Sequence, residues 1–310
     1  MAARVAPGIQ CPAPVPAAHT IALWAAAFAP SQDTTARWKA IEQWCRQHAW
    51  QCFIPPSFSS FHAFAGTATE RIRALQSLLA HPQVAAIWAV RGGYGSYHLL
   101  EDFPIEQWRK KMPWLIGFSD LTALQLYLIK QGIASLHAPM PSVLHNTHPD
   151  ALRHLATFLQ GGAPVYTAPA HPLQQAGEAE GCLIGGNLAV LCSLIGTPFM
   201  PELQDCILFI EEVGEHSYAI DRMLHHLHYA FPLHRLRGLI IGAVSRSPDG
   251  ESQEYLYKRI AEIVQQKAPH LPFCLGFPVG HENQNYPMLQ GAMVRLSIHA
   301  QGCTLSFQLQ

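Results

Sequence analysis

Four segments of this chain pair reactive side chains with backbone features that could activate them. In Gly117-Phe118-Ser119-Asp120, an apolar strand running from Trp114 delivers a serine to the start of a helix. A serine at such a turn is lifted above the sheet edge, with backbone N–H groups pointing the same way. Leu121 replaces the second glycine of a G-x-S-x-G elbow, so Ser119 reads as a nucleophile or as a helix cap. In Arg91-Gly92-Gly93-Tyr94-Gly95, glycines let backbone approach a ligand and a helix start attracts an anion. The G-G-x-G spacing fits neither a dinucleotide fingerprint nor a P-loop. A substrate carboxylate or an oxyanion suits it better, and a tight turn alone is the alternative.

The other two segments could supply an acid and a base. Glu211 and Glu212 end an apolar strand, so one of them faces inward and could orient a histidine. A solvated strand end beside Asp221 and Arg222 is the competing reading. His281 sits in a Gly- and Pro-rich stretch from Gly276 to Pro287, and loops on rigid scaffolds often carry catalytic groups. The chain has 18 histidines, so one alone carries little information. His225, His226 and His228 invite a metal, and positions 225 and 228 share a helix face. No H-E-x-x-H or third ligand accompanies them. A polar helix face accounts for them, and neither a metal nor another cofactor is expected.

Alternating elements must position these groups. Apolar runs predict strands over 21–30, 51–54, 84–90 and 114–118. Helical periodicity covers 34–48, 69–79 (with Thr69 as cap) and 120–131. This alternation predicts an α/β fold with a doubly wound parallel sheet, Rossmann- or flavodoxin-like, over residues 19–160. A Gly/Pro-rich stretch over 160–172 reads as a linker or as the entry to a second domain. Beyond it, strands over 182–184, 206–210, 238–244 and 293–298, with helices over 188–194 and 220–228, predict a mixed, β-rich domain at 173–310. Residues 1–18, rich in Ala and Pro, read as a disordered tail.

Composition narrows the function. The 310 residues are 49% hydrophobic and 13% charged, which excludes intrinsic disorder. A net charge of -1 leaves no surplus of Lys and Arg for a nucleic-acid face. No apolar stretch approaches the roughly 20 residues of a membrane span, and no secretory signal is evident. The eight cysteines form no C-x-x-C and read as buried, reduced thiols. A cytoplasmic protein without membrane or nucleic-acid partners is expected.

Together these segments resemble the LD-carboxypeptidase family of serine peptidases over about residues 21–296. The markers are Ala29-Pro30-Ser31, Phe64-Ala65-Gly66-Thr67 with Arg71, Arg91-Gly92-Gly93-Tyr94-Gly95 and Gly117-Phe118-Ser119-Asp120. His137-Ala138-Pro139-Met140, Gly185-Gly186-Asn187-Leu188 and Gly196-Thr197-Pro198 follow. The last are Glu211-Glu212-Val213-Gly214-Glu215, with Tyr218, Asp221 and Arg222, and Gly276-Phe277-Pro278 with Gly280-His281.

The resemblance implies a catalytic triad: Ser119 as nucleophile, His281 as general base and Glu211 as the acid that orients it. The family usually has Glu-Asp where this chain has Glu211-Glu212. It further implies a metal-free, cytoplasmic homodimer that releases terminal D-Ala from murein tetrapeptides. On that basis the oxyanion would meet N–H groups at Asp120 and in the Gly92-Gly93 turn, and the turn and Asn187 would contact substrate. Two other functions remain open: a self-immunity hydrolase of peptidyl or aminoacyl nucleotides with the same triad, and a non-catalytic peptide-binding protein.

Overall fold

A computed structural model describes residues 2–30 and 35–309. Ser31 and Thr34, where one marker ends and the first helix was expected to begin, lie outside the described residues. The first half alternates as anticipated. β1 (Thr20–Trp24), α1 (Thr35–Gln47), β2 (Gln51–Phe53), α2 (Ala68–Ala80) and β3 (Val84–Ala89) lead to α3 (Ile105–Lys111) and β4 (Trp114–Gly117). α4 (Thr122–Lys130), β5 (Ser135–His137) and α5 (Pro149–Leu159) complete it. Strands β1 to β5 pair in parallel in the order β2-β1-β3-β4-β5, the flavodoxin-like order. β1 and β4 are buried at every position, which is why their sequences are continuous apolar runs rather than alternating ones.

The second half holds β6 (Val165–Pro169), β7 (Gly177–Asn187), α6 (Leu188–Leu194), β8 (Cys206–Val213), α7 (Ser217–Ala230) and β9 (Gly238–Ser245). α8 (Gln253–Lys267), β10 (Phe273–Leu275), β11 (Met288–Gln290), β12 (Met293–His299) and β13 (Gly302–Phe307) follow. Seven of these strands form a mixed sheet, β10-β9-β8-β7-β12-β13-β6. β7 changes partner along its length. Its first half pairs antiparallel with β12 and its second half parallel with β8.

Four expectations need correction. Of the two readings of residues 160–172 the linker is corrected: the stretch contains β6, a strand of the second sheet, because Tyr166 and Ala168 alternate inward on a backbone that β13 pairs. The cap of α2 is Thr67, not Thr69. Its hydroxyl accepts from Glu70 N–H while the Glu70 side chain accepts from Thr67 N–H, a reciprocal box. The supposed disordered tail is tied down. Arg4 N–H donates to Gln308, Ala6 N–H to Gly291, Gln10 N–H to Gly132 and Val15 N–H to Leu159. A Pro-rich chain cannot form a helix, but extended backbone can satisfy its polar groups on neighbours while burying Ala3 and Val15.

The fourth concerns the separation of the halves. β11 leaves the second half and pairs antiparallel with β5, so it forms an edge of the first sheet. The chain then turns, and Leu183 of β7 exchanges backbone hydrogen bonds with Gly291 and Ala292. This seam brings the end of β5 against the second sheet. The eight cysteines are free, five of them buried. Among the described residues, no helix is long and apolar enough to cross a membrane.

Candidate active site

The groups that could do chemistry come from the ends of parallel strands, where open α/β sheets bind ligands. Ser119 follows β4 directly. Its φ is +62°, the left-handed region that a residue with a Cβ adopts only at a cost of roughly 1–2 kcal/mol. That turn aims Oγ off the sheet edge as an elbow should. Glu211 lies near the end of β8 and is fully buried. His281 sits in the loop after β10, held where Gly280 N–H donates to Asn285 Oδ1 at 3.0 Å and Tyr286 N–H donates to Pro278. Gly280 has φ +121°, and a Cβ there would lie 2.8 Å from the Glu211 Cβ. Only glycine lets the histidine loop approach the acid this closely.

Three side chains form a line. His281 Nε2 is 3.1 Å from Ser119 Oγ, and His281 Nδ1 is 2.7 Å from Glu211 Oε2. The buried carboxylate fixes the tautomer with the proton on Nδ1, leaving Nε2 to accept from the serine hydroxyl. Burial disfavours the imidazolium, but the charge and hydrogen bond of Glu211 outweigh it and raise the His281 pKa above its ordinary value. Phe118 covers the ring, with centroids 4.8 Å apart. Arg246, an exposed cation on the loop after β9 with φ +57°, opposes protonation of His281.

The two acids divide their work. Glu212 points away from the histidine. It accepts from Asn187 Nδ2 at 2.9 Å, from Ala189 N–H at 2.7 Å and from Val213 N–H at 2.8 Å, closing the N-terminus of α6. Burial and the neighbouring Glu211 push its pKa up to about 7 despite those donors. Of the two, Glu211 is the carboxylate that hydrogen-bonds His281.

The remaining expected site residues separate. A Cβ on Gly92 would lie 3.2 Å from Ser119 Oγ, so the backbone of that turn borders the hydroxyl. Gly93 packs its backbone on Phe28. Asp120 turns its carboxylate inward, where it accepts from Ser96 N–H at 2.8 Å. Burial raises its pKa, against the pull of Ser96, Gly95 and Arg71. Buried Arg71 donates to the carbonyls of Ala26 and Gly95, so the Gly-rich turn is braced from beneath.

Asn187 is tied into the fold as a helix cap. It is 5% exposed, and its amide is spent on Glu212 and on Val190 N–H as the cap of α6. His225 lies beside Asp221, and no cluster of metal-binding side chains occurs among the described residues.

Sequence reasoning assigned no role to two groups. His137, quoted only as a marker, ends β5 fully buried among aromatic rings. An aromatic rim also borders the glycine turn. Phe28 packs on Phe64, Phe64 on Tyr94 and Tyr94 on His98, with the Arg91 guanidinium 5.7 Å above the Phe28 ring. The run of Phe58, Phe61 and Phe64 was the available signal for the rim.

A histidine–carboxylate pair from one sheet, set against an elbow serine from another, is the equipment of a hydrolytic enzyme. The chain belongs to the LD-carboxypeptidase family and is a carboxypeptidase. Residues 21–138 match the LD-carboxypeptidase N-terminal domain and residues 180–296 the C-terminal domain. It is 30% identical to the murein tetrapeptide carboxypeptidase of Pseudomonas aeruginosa over 236 residues, 73% of this chain and 76% of that one. The crystal structure of muramoyltetrapeptide carboxypeptidase from Oxalobacter formigenes superposes with a TM-score of 0.82 at 23% identity. It covers 94% of this chain and 99% of that one. MccF in complex with glutamyl sulfamoyl guanosine gives 0.80 at 20% identity, covering 96% and 98%. These two structural likenesses are of fold.

Proposed function

We propose that this enzyme is a serine LD-carboxypeptidase that removes terminal D-Ala from murein tetrapeptides released during cell-wall recycling, acting in the cytoplasm as a homodimer. The observation that carries the serine mechanism is the unbroken line from Ser119 through His281 to buried Glu211. The substrate class rests on the murein tetrapeptide carboxypeptidase relative.

Ser119 Oγ attacks the carbonyl carbon of the last peptide bond as His281 Nε2 takes its proton. Glu211 stabilises the imidazolium. The tetrahedral oxyanion meets backbone N–H groups at Asp120 and in the Gly92-Gly93 turn, where one donor is typically worth on the order of 10²–10³ in rate. His281 then protonates the departing amine, freeing D-Ala and leaving an acyl-enzyme. Water, deprotonated by the same imidazole, cleaves the ester and regenerates Ser119. A carboxypeptidase must also hold a terminal carboxylate. The Gly92-Gly93 turn beside Ser119 is the candidate for that contact.

Incubating the protein with murein tetrapeptide and measuring free D-Ala tests the reading. Ser119→Ala should abolish release while the fold survives; full turnover by that variant would refute the serine mechanism. A second reading, hydrolysis of aminoacyl nucleotides, is favoured by the aromatic rim, which offers rings on which a base could stack. Competition between tetrapeptide and an aminoacyl sulfamoyl adenosine separates the two, because only the enzyme's own substrate class should compete strongly.

A further inference from the structure

Glu211 uses only one of its two carboxylate oxygens in the line. Oε2 accepts from His281, while Oε1 is buried and has no hydrogen-bond partner. A buried carboxylate oxygen without a donor is costly and calls for an explanation. The same layer contains a second such group. His137 is wholly buried at the end of β5, and both its ring nitrogens lack partners.

The fold brings these two groups together from opposite halves. β11 fixes the end of β5, since Met288 pairs with His137 across the seam. The His137 ring packs on Phe209, with centroids 5.1 Å apart. Phe209 lies two residues before Glu211 on β8, so both side chains project from one face of that strand. On its other side, His137 packs on Phe118, which itself covers His281. The two imidazoles therefore both pack on one phenyl ring. Burial pushes the His137 pKa down to about 4 although the Glu211 charge acts to raise it. The ring is thus neutral at ordinary pH and carries one N–H to donate.

We propose that His137 is a positioning residue for this line: neither its ring nitrogens nor Oε1 of Glu211 has a partner in the structure, and a small rotation of the ring lets its N–H serve Oε1 of Glu211 and hold the carboxylate in the rotamer that meets His281. A neutral donor can do this without competing for the carboxylate's charge, as a second cation would. Packing against Phe118 and Phe209 restricts the ring to small rotations, within which the N–H can turn toward the acid. The inference rests on the triad reading above, and its test is chosen to be separable from it.

The experiment compares native enzyme with His137→Phe, His137→Asn and His137→Gln. The Phe variant keeps the ring packing and loses the donor; the amides keep a donor. Thermal unfolding shows that each variant is folded. Two readouts follow, D-Ala release from tetrapeptide and the downfield proton resonance of the His281 Nδ1–H bonded to Glu211. The resonance does not depend on the substrate. With the Phe variant, kcat should fall about 10- to 100-fold with KM nearly constant, the scale of loss for a misplaced catalytic group. The resonance should move upfield or broaden, and at least one amide should restore both readouts. An unmoved resonance in the Phe variant would overturn the proposal, as would failure of both amides to restore it. If native enzyme releases no D-Ala, the substrate reading fails, and the resonance alone still decides the role of His137.

Discussion

At the scale of single residues, the chemistry turns on how the His281 proton affinity is set. Glu211 raises it and Arg246 lowers it, with burial working alongside Arg246. A general base must be neutral, so a raised pKa moves the acid limb of kcat/KM upward, to a midpoint above the ordinary histidine value. Glu211→Gln removes the anion and should shift that limb to lower pH while depressing kcat, because the neutral amide no longer stabilises the imidazolium. Arg246→Ala should do the reverse to the limb, moving it up. A pH–rate profile for each variant checks both signs. Each residue of the line sits at a break in an apolar run, but only the family resemblance joined the three into a triad. His137 was not legible, because a histidine at the end of a short buried strand has the same sequence signature as a packing residue.

At the scale of elements, the second acid of the Glu pair shows how a site is stabilised from outside it. Glu212 and Asn187 together close the N-terminus of α6, and Asn187 N–H donates to Thr122 Oγ1 at the start of α4. Glu212→Ala would strand buried N–H donors and should lower stability by about 1–3 kcal/mol, read as a fall in the urea midpoint. Glu212→Gln should lose less, since one oxygen still accepts. At α2, Thr67→Ala breaks the capping box and should cost about 1 kcal/mol, visible as a lower melting temperature with kcat unchanged.

The same elements show what sequence can and cannot carry. α6 is legible at full length because Asn187 caps a short apolar stretch. The sequence reading assigns no element to α8, yet Ser252 caps it and Leu256, Ile260, Ile263 and Val264 form a buried stripe. The charged outer face of that helix masks the stripe. β6 is obscured for a different reason. Its flanking glycines and prolines look like a linker, and only the pairing with β13 makes it a strand.

At the scale of the molecule, the sequence conveys the order of strands and helices within each half but not the exchange between them. Three residues, Met288–Gln290, are too short to show periodicity, and their partner strand lies about 150 positions earlier in the chain. The exchange has a testable result. Residues 1–160 expressed alone should leave the β5 edge unpaired and should aggregate or show little protection from hydrogen exchange. Co-expression with residues 161–310 should restore protection and assemble a soluble complex.

Because β11 and the N-terminal segment stitch both sheets into continuous backbone pairing, the two lobes cannot gape and shut like jaws around a guest. The line of Ser119, His281 and Glu211 is therefore set by the fold itself, while the rim of rings beside the glycine turn lies outside it. Replacing those few side chains could redirect what is cut while leaving the machinery that cuts undisturbed.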